Sequence, residues 1–166
     1  MSRSAFFVDI NRCTNCDLCA LTCSFVKENL YSLNRSRIWI VKDISRALGV
    51  PVICENCENP PCAKVCPVNA LTKNHETGIV ELNESKCIGC RECIWICPFG
   101  AISIDPKKGK AVKCDLCGGD PECVKACLYG ALRFERIDRP STLMKKRENI
   151  QRKLEALASI AVGEVK

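Results

Sequence analysis

Residues 87–98 read CIGCRECIWICP, and this stretch decides the fold of the chain. It places three cysteines with two residues between neighbours, then a fourth after three residues, and ends in proline. Thiolates with this C-x2-C-x2-C-x3-C-P spacing bind 4Fe-4S clusters, with the first three on one cluster and the fourth on its neighbour. One such run therefore predicts at least two clusters and a second run elsewhere in the chain.

Three further groups of cysteines follow related spacings, which differ mainly in the middle gap. The four groups, in chain order, are Cys13, Cys16, Cys19 and Cys23; Cys54, Cys57, Cys62 and Cys66; Cys87, Cys90, Cys93 and Cys97; and Cys114, Cys117, Cys123 and Cys127. Together they use all 16 cysteines, so none is left for a nucleophile or a disulfide. We therefore predict four [4Fe-4S] clusters as the cofactors.

Zinc is the alternative metal for sets of four cysteines, and it would also fold a small chain. Zinc ribbons, however, use two C-x2-C pairs about 15 to 20 residues apart. In this chain, three ligands of each group lie within about seven to ten residues, and the fourth is displaced. The spacing therefore favours iron-sulfur clusters over zinc.

The chain length of 166 residues allows one domain or two small ones, and only 5% of the residues are aromatic. Small modules of this kind bury too little apolar surface to be stable without cross-links or metals. Bound clusters would supply that stability. We therefore expect the metal-free chain to be largely unfolded.

The formal charge of +6 is a poor guide to the partner, because it counts every cysteine as neutral. If each oxidised cluster with its thiolates carries about −2, four clusters add about −8 and the loaded protein carries about −2. We therefore expect no nucleic-acid partner. The basic residues Lys107, Lys108, Lys110 and Lys113 are interpreted either as a solvated face or as charges that offset the clusters.

The first ten residues, MSRSAFFVDI, contain a single arginine and no apolar core of signal-peptide length. No run in the chain reaches the roughly 18 apolar residues of a membrane span. We expect a cytoplasmic protein without direct membrane insertion. Cysteines in that compartment are kept reduced, which favours metal binding over disulfides.

A repeat begins at the fourth cysteine of three groups: CPVNAL at 66–71, CPFGAI at 97–102 and CLYGAL at 127–132. Each copy predicts a bend followed by the start of a strand. Recurrence at about 30 residues indicates a duplicated module.

Two β-hairpins are predicted between the copies of the repeat, at residues 72–82 and 103–113. Their turns are predicted at Thr77-Gly78 and Lys108-Gly109. His75, the single histidine, is interpreted as an exposed turn residue, because no catalytic motif surrounds it.

Outside the repeat, residues 5–10 predict a strand, and residues 37–41 predict a second strand that returns to pair with it. Residues 43–48 predict a short helical turn that stops at Gly49 and Pro51.

The tail after Arg139 predicts a helix that starts near Pro140 and Ser141. Its apolar stripe comprises Leu143, Ile150, Leu154, Leu157 and Ala161. Its basic residues are expected on the solvated outer face: Lys145, Lys146, Arg147, Arg152 and Lys153. Two interpretations stay open, a helix packed on its own domain and an arm that docks a partner or a second copy of the chain.

If the duplicated modules have the topology of a two-cluster ferredoxin, the groups exchange their fourth ligands. Site 1 then comprises Cys13, Cys16, Cys19 and Cys127; site 2, Cys54, Cys57, Cys62 and Cys97; site 3, Cys87, Cys90, Cys93 and Cys66; and site 4, Cys114, Cys117, Cys123 and Cys23. The predicted architecture is α+β, with two ferredoxin-like dicluster modules and a C-terminal helix. The inner module (51–111) is inserted in the outer module (1–50 with 112–138), and the tail spans 139–166.

Over about residues 5–138, this pattern resembles the four-cluster iron-sulfur subunits of molybdenum and tungsten oxidoreductases, such as those of dimethyl sulfoxide reductase and formate-linked enzymes. CDLCGGDPECVKAC at 114–127 and CSFVKENLYSLNRSRIWI at 23–40 are most similar to the small subunits that accompany tungsten aldehyde oxidoreductases. The resemblance implies a non-catalytic electron-transfer subunit. Its partner would be a large catalytic subunit with a tungsten or molybdenum pterin, and a flavin or ferredoxin is considered as the further redox partner.

An electron relay also agrees with the ligands, because clusters held by four cysteines leave no open iron for a substrate. Within that class, the alternatives are a free-standing polyferredoxin and the electron-transfer subunit of a carbon monoxide dehydrogenase, formate dehydrogenase or hydrogenase. A structural or nucleic-acid-binding protein stabilised by metal is the alternative from another class. Self-association through the C-terminal helix is also open.

Overall fold

The computed structural model describes residues 3–163, in which eight strands form four two-stranded antiparallel sheets. The strands are β1 (Arg3–Val8), β2 (Trp39–Asp43), β3 (Leu48–Val52), β4 (Leu71–Lys73), β5 (Val80–Leu82), β6 (Ile102–Ile104), β7 (Ala111–Lys113) and β8 (Leu132–Ile137). The α-helices are α1 (Leu18–Glu28), α2 (Pro61–Lys64), α3 (Glu92–Trp95), α4 (Glu122–Lys125) and α5 (Pro140–Gly163), and short 3-10 helices span Ile10–Arg12, Leu33–Arg35 and Leu116–Gly119. This mixture of helices and strands agrees with the predicted fold class.

The first and last strands pair with each other. β1 runs antiparallel to β8, and Phe6 lies opposite Phe134 with the ring centroids 5.4 Å apart. Such aromatic cross-strand pairs stabilise a two-stranded sheet. The β1–β8 sheet therefore joins the two ends of the cysteine-containing part of the chain.

The two predicted hairpins are confirmed as β4–β5 and β6–β7. Gly78 and Gly109 in their turns have φ values of +73° and +66°, which glycine adopts without the steric penalty of a side chain. His75 is exposed in the first turn, as predicted.

The predicted pairing of the second strand with the first is wrong. β2 pairs with β3, so that Trp39 lies opposite Val52 and Ile40 lies opposite Pro51. The predicted helical turn at 43–48 is also wrong, because residues 44–47 form the turn of this hairpin. Proline is accepted in β3 because a two-stranded sheet leaves one edge of each strand without a ladder partner.

Cysteines form part of the apolar core. The larger cluster of buried residues contains Phe6, Ile38, Ile53, Cys19, Cys23, Cys54, Cys114 and Cys123. The smaller one contains Leu71, Val80, Ile102, Cys62 and Cys93. The predicted metal sites therefore lie where an ordinary domain of this size would place only hydrocarbon side chains.

The predicted C-terminal helix is confirmed as α5, and it packs on the domain. Ala156 and Ile160 are buried against Val50 of β3, and Asn149 exchanges two hydrogen bonds with the backbone of Val8. None of the helices within residues 3–163 has both the length and the apolar character needed to cross a bilayer.

The predicted orientation of α5 is wrong for two basic residues. Lys145, Arg147 and Arg152 are exposed as expected, but Lys146 and Lys153 are buried, with side chains 7% and 1% exposed. Both lysines pair with the buried carboxylate of Glu55. Helical periodicity alone assigned these lysines to solvent, since their partner lies more than ninety residues away in the sequence.

Candidate iron-sulfur cluster sites

Each group of cysteines starts with a C-x2-C loop of the same backbone shape. The third residue of every loop has a positive φ: 60° at Asn15, 47° at Asn56, 71° at Gly89 and 58° at Leu116. Asparagine and glycine adopt this left-handed conformation more readily than other residues, whereas it strains leucine. The same left-handed residue therefore shapes the loop that carries the first two thiols of each group.

The third cysteine of each group is the second residue of a helix. Cys19, Cys62, Cys93 and Cys123 occupy this position in α1 to α4, and all four are buried. Free backbone N–H groups and the positive end of the helix dipole favour a thiolate at a helix N-terminus. Burial has the opposite effect, and together with the neighbouring thiols it raises the pKa of the Cys19 thiol to about 12 and that of Cys62 to about 11.

The fourth cysteine is followed by the predicted bend. Asn69, Gly100 and Gly130 occupy the same place in the three copies of the repeat, and all three have positive φ. In the first two copies the bend directs a backbone N–H at the cysteine sulfur, over 3.2 Å from Ala70 to Cys66 and 3.4 Å from Ala101 to Cys97. Such hydrogen bonds stabilise a metal-bound thiolate.

Three quartets of cysteines each line one cavity, and in each the fourth cysteine comes from another group. The sulfur-lined spaces, including their openings, measure about 320 Å³ for Cys54, Cys57, Cys62 and Cys97. They measure about 340 Å³ for Cys87, Cys90, Cys93 and Cys66, and about 300 Å³ for Cys114, Cys117, Cys123 and Cys23. These are the combinations predicted for sites 2, 3 and 4.

The remaining quartet is brought together around Cys13. Burial raises the pKa of this thiol, and the nearby thiols of Cys16 and Cys127 raise it further. The same two neighbours and Cys13 itself add to the effect of burial on Cys19. The combination predicted for site 1 is therefore also close in space.

The donor set and the separation of the donors both fit a cube-shaped cluster. All 16 cysteines are free thiols. Within residues 3–163, no three metal-binding side chains come close enough together to hold one metal ion. A cluster in which each thiolate binds a different iron therefore fits these quartets better than a single ion held by all four sulfurs.

Site 4 contains a further polar group that fits a bound cluster. Arg37 lines this cavity, and its buried Nε has no hydrogen-bond partner among the described residues. The Arg37 guanidinium also pairs with Asp115 at 3.1 Å, and Lys27 pairs with the same carboxylate at 2.8 Å. Burial raises the pKa of Asp115, but the hydrogen bonds from Lys27 and from the Cys117 N–H outweigh it, so the pKa is lowered.

Lys113 is a site residue that the sequence left ambiguous. It is buried, and its ammonium group donates hydrogen bonds to the carbonyls of Val80 at 2.5 Å and Cys114 at 2.6 Å, and to Asn56 Oδ1 at 3.3 Å. Burial raises the pKa of the Cys54 thiol, and Lys113 opposes that shift. Of the two interpretations of this basic group, a charge that offsets the clusters therefore applies to Lys113, while Lys107 and Lys108 are exposed.

Sites 1 and 3 reach the surface. Cys16 and Cys90 are exposed, whereas at least two cysteines of each of the other two sites are buried. Large apolar side chains are exposed beside both surface sites. Near site 3 these are Ile88 and Trp95, which is 84% exposed, and near site 1 they are Leu128 and Tyr129.

Comparison with known proteins gives consistent matches. Residues 46–137 match the family model of the 4Fe-4S dicluster domain. A polyferredoxin-like subunit of an aliphatic sulfonate oxidoreductase from Pyrococcus furiosus is 41% identical over 117 residues, which are 70% of this chain and 67% of the relative. A subunit of the anaerobic dimethyl sulfoxide reductase of Escherichia coli is 38% identical over 151 residues, which cover 80% of this chain and 73% of the relative. The thiosulfate reductase electron transfer subunit PhsB of Salmonella typhi is 36% identical over 143 residues, which cover 78% and 74%.

A solved structure has a similar fold. It belongs to the active-site complex BamBC of benzoyl-coenzyme A reductase, with a TM-score of 0.52, 23% identity and 98% coverage of both proteins. At this identity the likeness concerns the fold alone.

Proposed function

This chain belongs to the 4Fe-4S dicluster family of iron-sulfur proteins, and from that premise we propose that it is a non-catalytic electron-transfer subunit of a molybdenum- or tungsten-dependent oxidoreductase. The observation that carries the proposal is the set of four cysteine quartets, two of which, at sites 1 and 3, include an exposed cysteine. When bound, the clusters supply one-electron redox chemistry. The chain itself binds them, excludes water and sets their spacing.

The proposed ligands are the four quartets predicted from the sequence. Site 1 is held by Cys13, Cys16, Cys19 and Cys127, site 2 by Cys54, Cys57, Cys62 and Cys97, site 3 by Cys87, Cys90, Cys93 and Cys66, and site 4 by Cys114, Cys117, Cys123 and Cys23. Three shared cavities and the mutual effects of the thiols at site 1 support these sets. They correspond to four [4Fe-4S] clusters.

The proposed order of the relay is 1–4–2–3. Burial and, to a smaller extent, the proximity of Cys54 raise the pKa of Cys114 to about 12, which supports contact between sites 4 and 2. Cys19 acts in the same way on Cys123, which supports contact between sites 1 and 4. Cys62 and Cys93 share one apolar cluster, which supports contact between sites 2 and 3. Short steps of this kind replace a single long electron transfer.

The proposed modules follow the same pairing. Residues 1–50 with 112–138 form an outer dicluster module, residues 51–111 an inner one, and residues 139–166 the tail. The pairing of β1 with β8 supports an outer module closed around the inner hairpins β4–β5 and β6–β7. The contacts of α5 with β1 and β3 favour a tail packed on its own domain.

The proposed catalytic partner carries a tungsten or molybdenum pterin, with a tungsten aldehyde oxidoreductase as the more specific candidate from sequence resemblance. The relatives named as subunits of sulfonate oxidoreductase and dimethyl sulfoxide reductase support the general class. A free-standing polyferredoxin is the second candidate, favoured by the polyferredoxin-like description of the Pyrococcus relative. The exposed apolar side chains at sites 1 and 3 support electron exchange with other proteins at both ends of the relay.

Two measurements test this proposal. Anaerobically purified protein should contain about sixteen irons and accept about four electrons per chain in a reductive titration. A metal-stabilised structural protein would accept none. Affinity purification of the tagged chain from its native cells should recover a large subunit with tungsten or molybdenum, whereas recovery of the chain alone, with all clusters reducible, would favour the polyferredoxin.

A further inference from the structure

α5 inserts two lysines beside a cluster site. Lys146 and Lys153 lie seven residues apart, and therefore on one face of the helix. Their ammonium groups donate hydrogen bonds to different oxygens of the Glu55 carboxylate, and Lys146 also donates to the carbonyl of Phe6. The side chain of Glu55 is only 4% exposed. We call these three residues the Glu55 triad.

The Glu55 triad forms part of the wall of site 2. Glu55 stands between Cys54 and Cys57, two of the proposed ligands, and lines the same cavity. Phe99 lines this cavity too, and the Lys153 ammonium lies 5.6 Å from the centre of its ring. The positive charges of the helix are thus separated from the cluster position by a single layer of side chains.

The Glu55 triad has a net charge of +1 when all three groups are ionised. The Glu55 carboxylate accepts a hydrogen bond from an ammonium group on each of its two oxygens, a geometry that favours its ionised form. Burial lowers the pKa of Lys146, and Glu55 opposes that shift. Buried ion pairs are often replaceable by apolar side chains without loss of stability, so stability alone is a weak explanation for this arrangement.

We propose that the net positive charge of the Glu55 triad raises the reduction potential of the cluster in site 2. Reduction adds one electron, and hence one negative charge, to the cluster. A net positive charge held nearby in a poorly hydrated interior stabilises that state. The inference rests on the proposed ligands of site 2. It assigns to the C-terminal helix a role in setting the reduction potential of one cluster relative to the others in the proposed relay.

The test compares substitutions of opposite charge in the full-length, cluster-loaded protein. Redox titration with dithionite, monitored by electron paramagnetic resonance, gives one potential for each cluster, and Cys57→Ser identifies the signal of site 2. Lys153→Met and Lys146→Met should each shift the ratio of reduced to oxidised cluster at site 2 by about tenfold towards the oxidised form, which is ~59 mV for one electron. Glu55→Gln should shift the same potential in the opposite direction.

Two controls separate charge from structure. Lys145→Met makes the same substitution on the exposed side of α5 and should leave all four potentials unchanged. The double variant Glu55→Gln/Lys153→Met restores the net charge of +1 while breaking the ion pairs, so its potential should return towards that of the unmodified protein. A purely structural role predicts that this double variant is the most perturbed of all.

The inference is overturned if Glu55→Gln and the lysine variants shift the potential in the same direction, or if none of them shifts it while iron content stays full. If a single lysine variant does not retain its clusters, Glu55→Gln and the double variant decide the question. A chain that binds no iron, or whose clusters accept no electrons, would instead overturn the proposed function.

Discussion

Sites 2 and 3 are built to one plan but differ in their surroundings. Both have a C-x2-C loop with a left-handed third residue and a short helix that carries the third cysteine. At site 2 the loop is buried, and its Asn56 accepts hydrogen bonds from the Val80 N–H and from Lys113. At site 3 the equivalent residue is Gly89, and the following Cys90 is exposed.

This comparison shows that the cysteines do not distinguish the two sites. The two sites differ in the residues that pack on their loops. Lys113 from β7 and the two triad lysines from α5 contact the site 2 loop, whereas site 3 lies beside exposed Ile88 and Trp95. The same loop and helix can therefore form a buried site or an exposed one, depending on the side chains contributed by the rest of the chain.

Loss of a cysteine should have the largest effect and should differ between the two sites. Cys54→Ser removes a buried, proposed ligand of site 2 and should greatly reduce the yield of folded protein, because its apolar surroundings depend on the cluster. Cys90→Ser removes an exposed ligand and should leave three loaded sites. Iron content and far-ultraviolet circular dichroism measure both outcomes, and equal loss of structure in the two variants would contradict the comparison.

Removal of the buried cation near site 2 should have the next largest effect. Lys113→Met leaves the carbonyls of Val80 and Cys114 without their donor and should destabilise the protein by about 3 kcal/mol. The midpoint of thermal unfolding under anaerobic conditions measures the change. An unchanged midpoint would show that water replaces the ammonium group.

The close packing of the site 3 loop is tested by Gly89→Ala. Gly89 has a φ of +71°, and an added Cβ would lie 2.3 Å from the carbonyl oxygen of Gly109. We expect a destabilisation of about 3 kcal/mol or less, from backbone strain and the clash together. Gly100→Ala is the matched control, because Gly100 has a φ of +59° with open space around it, and it should lose only about 1 kcal/mol.

The smallest effect is expected from Lys108, an exposed cation in the turn of the β6–β7 hairpin that also contains Lys113. Lys108 pairs with Glu84 at 2.9 Å, and both side chains are about half exposed. Lys108→Gln should change stability by at most about 0.5 kcal/mol, because solvent screens such pairs. A loss comparable to that of Lys113→Met would mean that burial is not what separates the two lysines.

The sequence predicts the parts of this molecule that depend on local geometry. The cysteine spacing determines the loops, and the turn residues determine the hairpins β4–β5 and β6–β7. The partner of β1 could not be predicted in this way, since β8 lies more than 120 residues further on and no local signal excludes the nearer strand. The burial of Lys153 was missed for the same reason, because a helical pattern cannot reveal a carboxylate contributed by a distant loop.

The β1–β8 sheet has a consequence for biosynthesis. β1 leaves the ribosome more than 120 residues before β8, and until then its backbone lacks the partner with which it pairs in the folded chain. Sites 1 and 4 likewise combine proposed ligands that are synthesised early with others that are synthesised about a hundred residues later, whereas the proposed ligands of sites 2 and 3 all lie between residues 54 and 97. Iron-sulfur assembly is therefore expected to begin at sites 2 and 3 and to finish at sites 1 and 4.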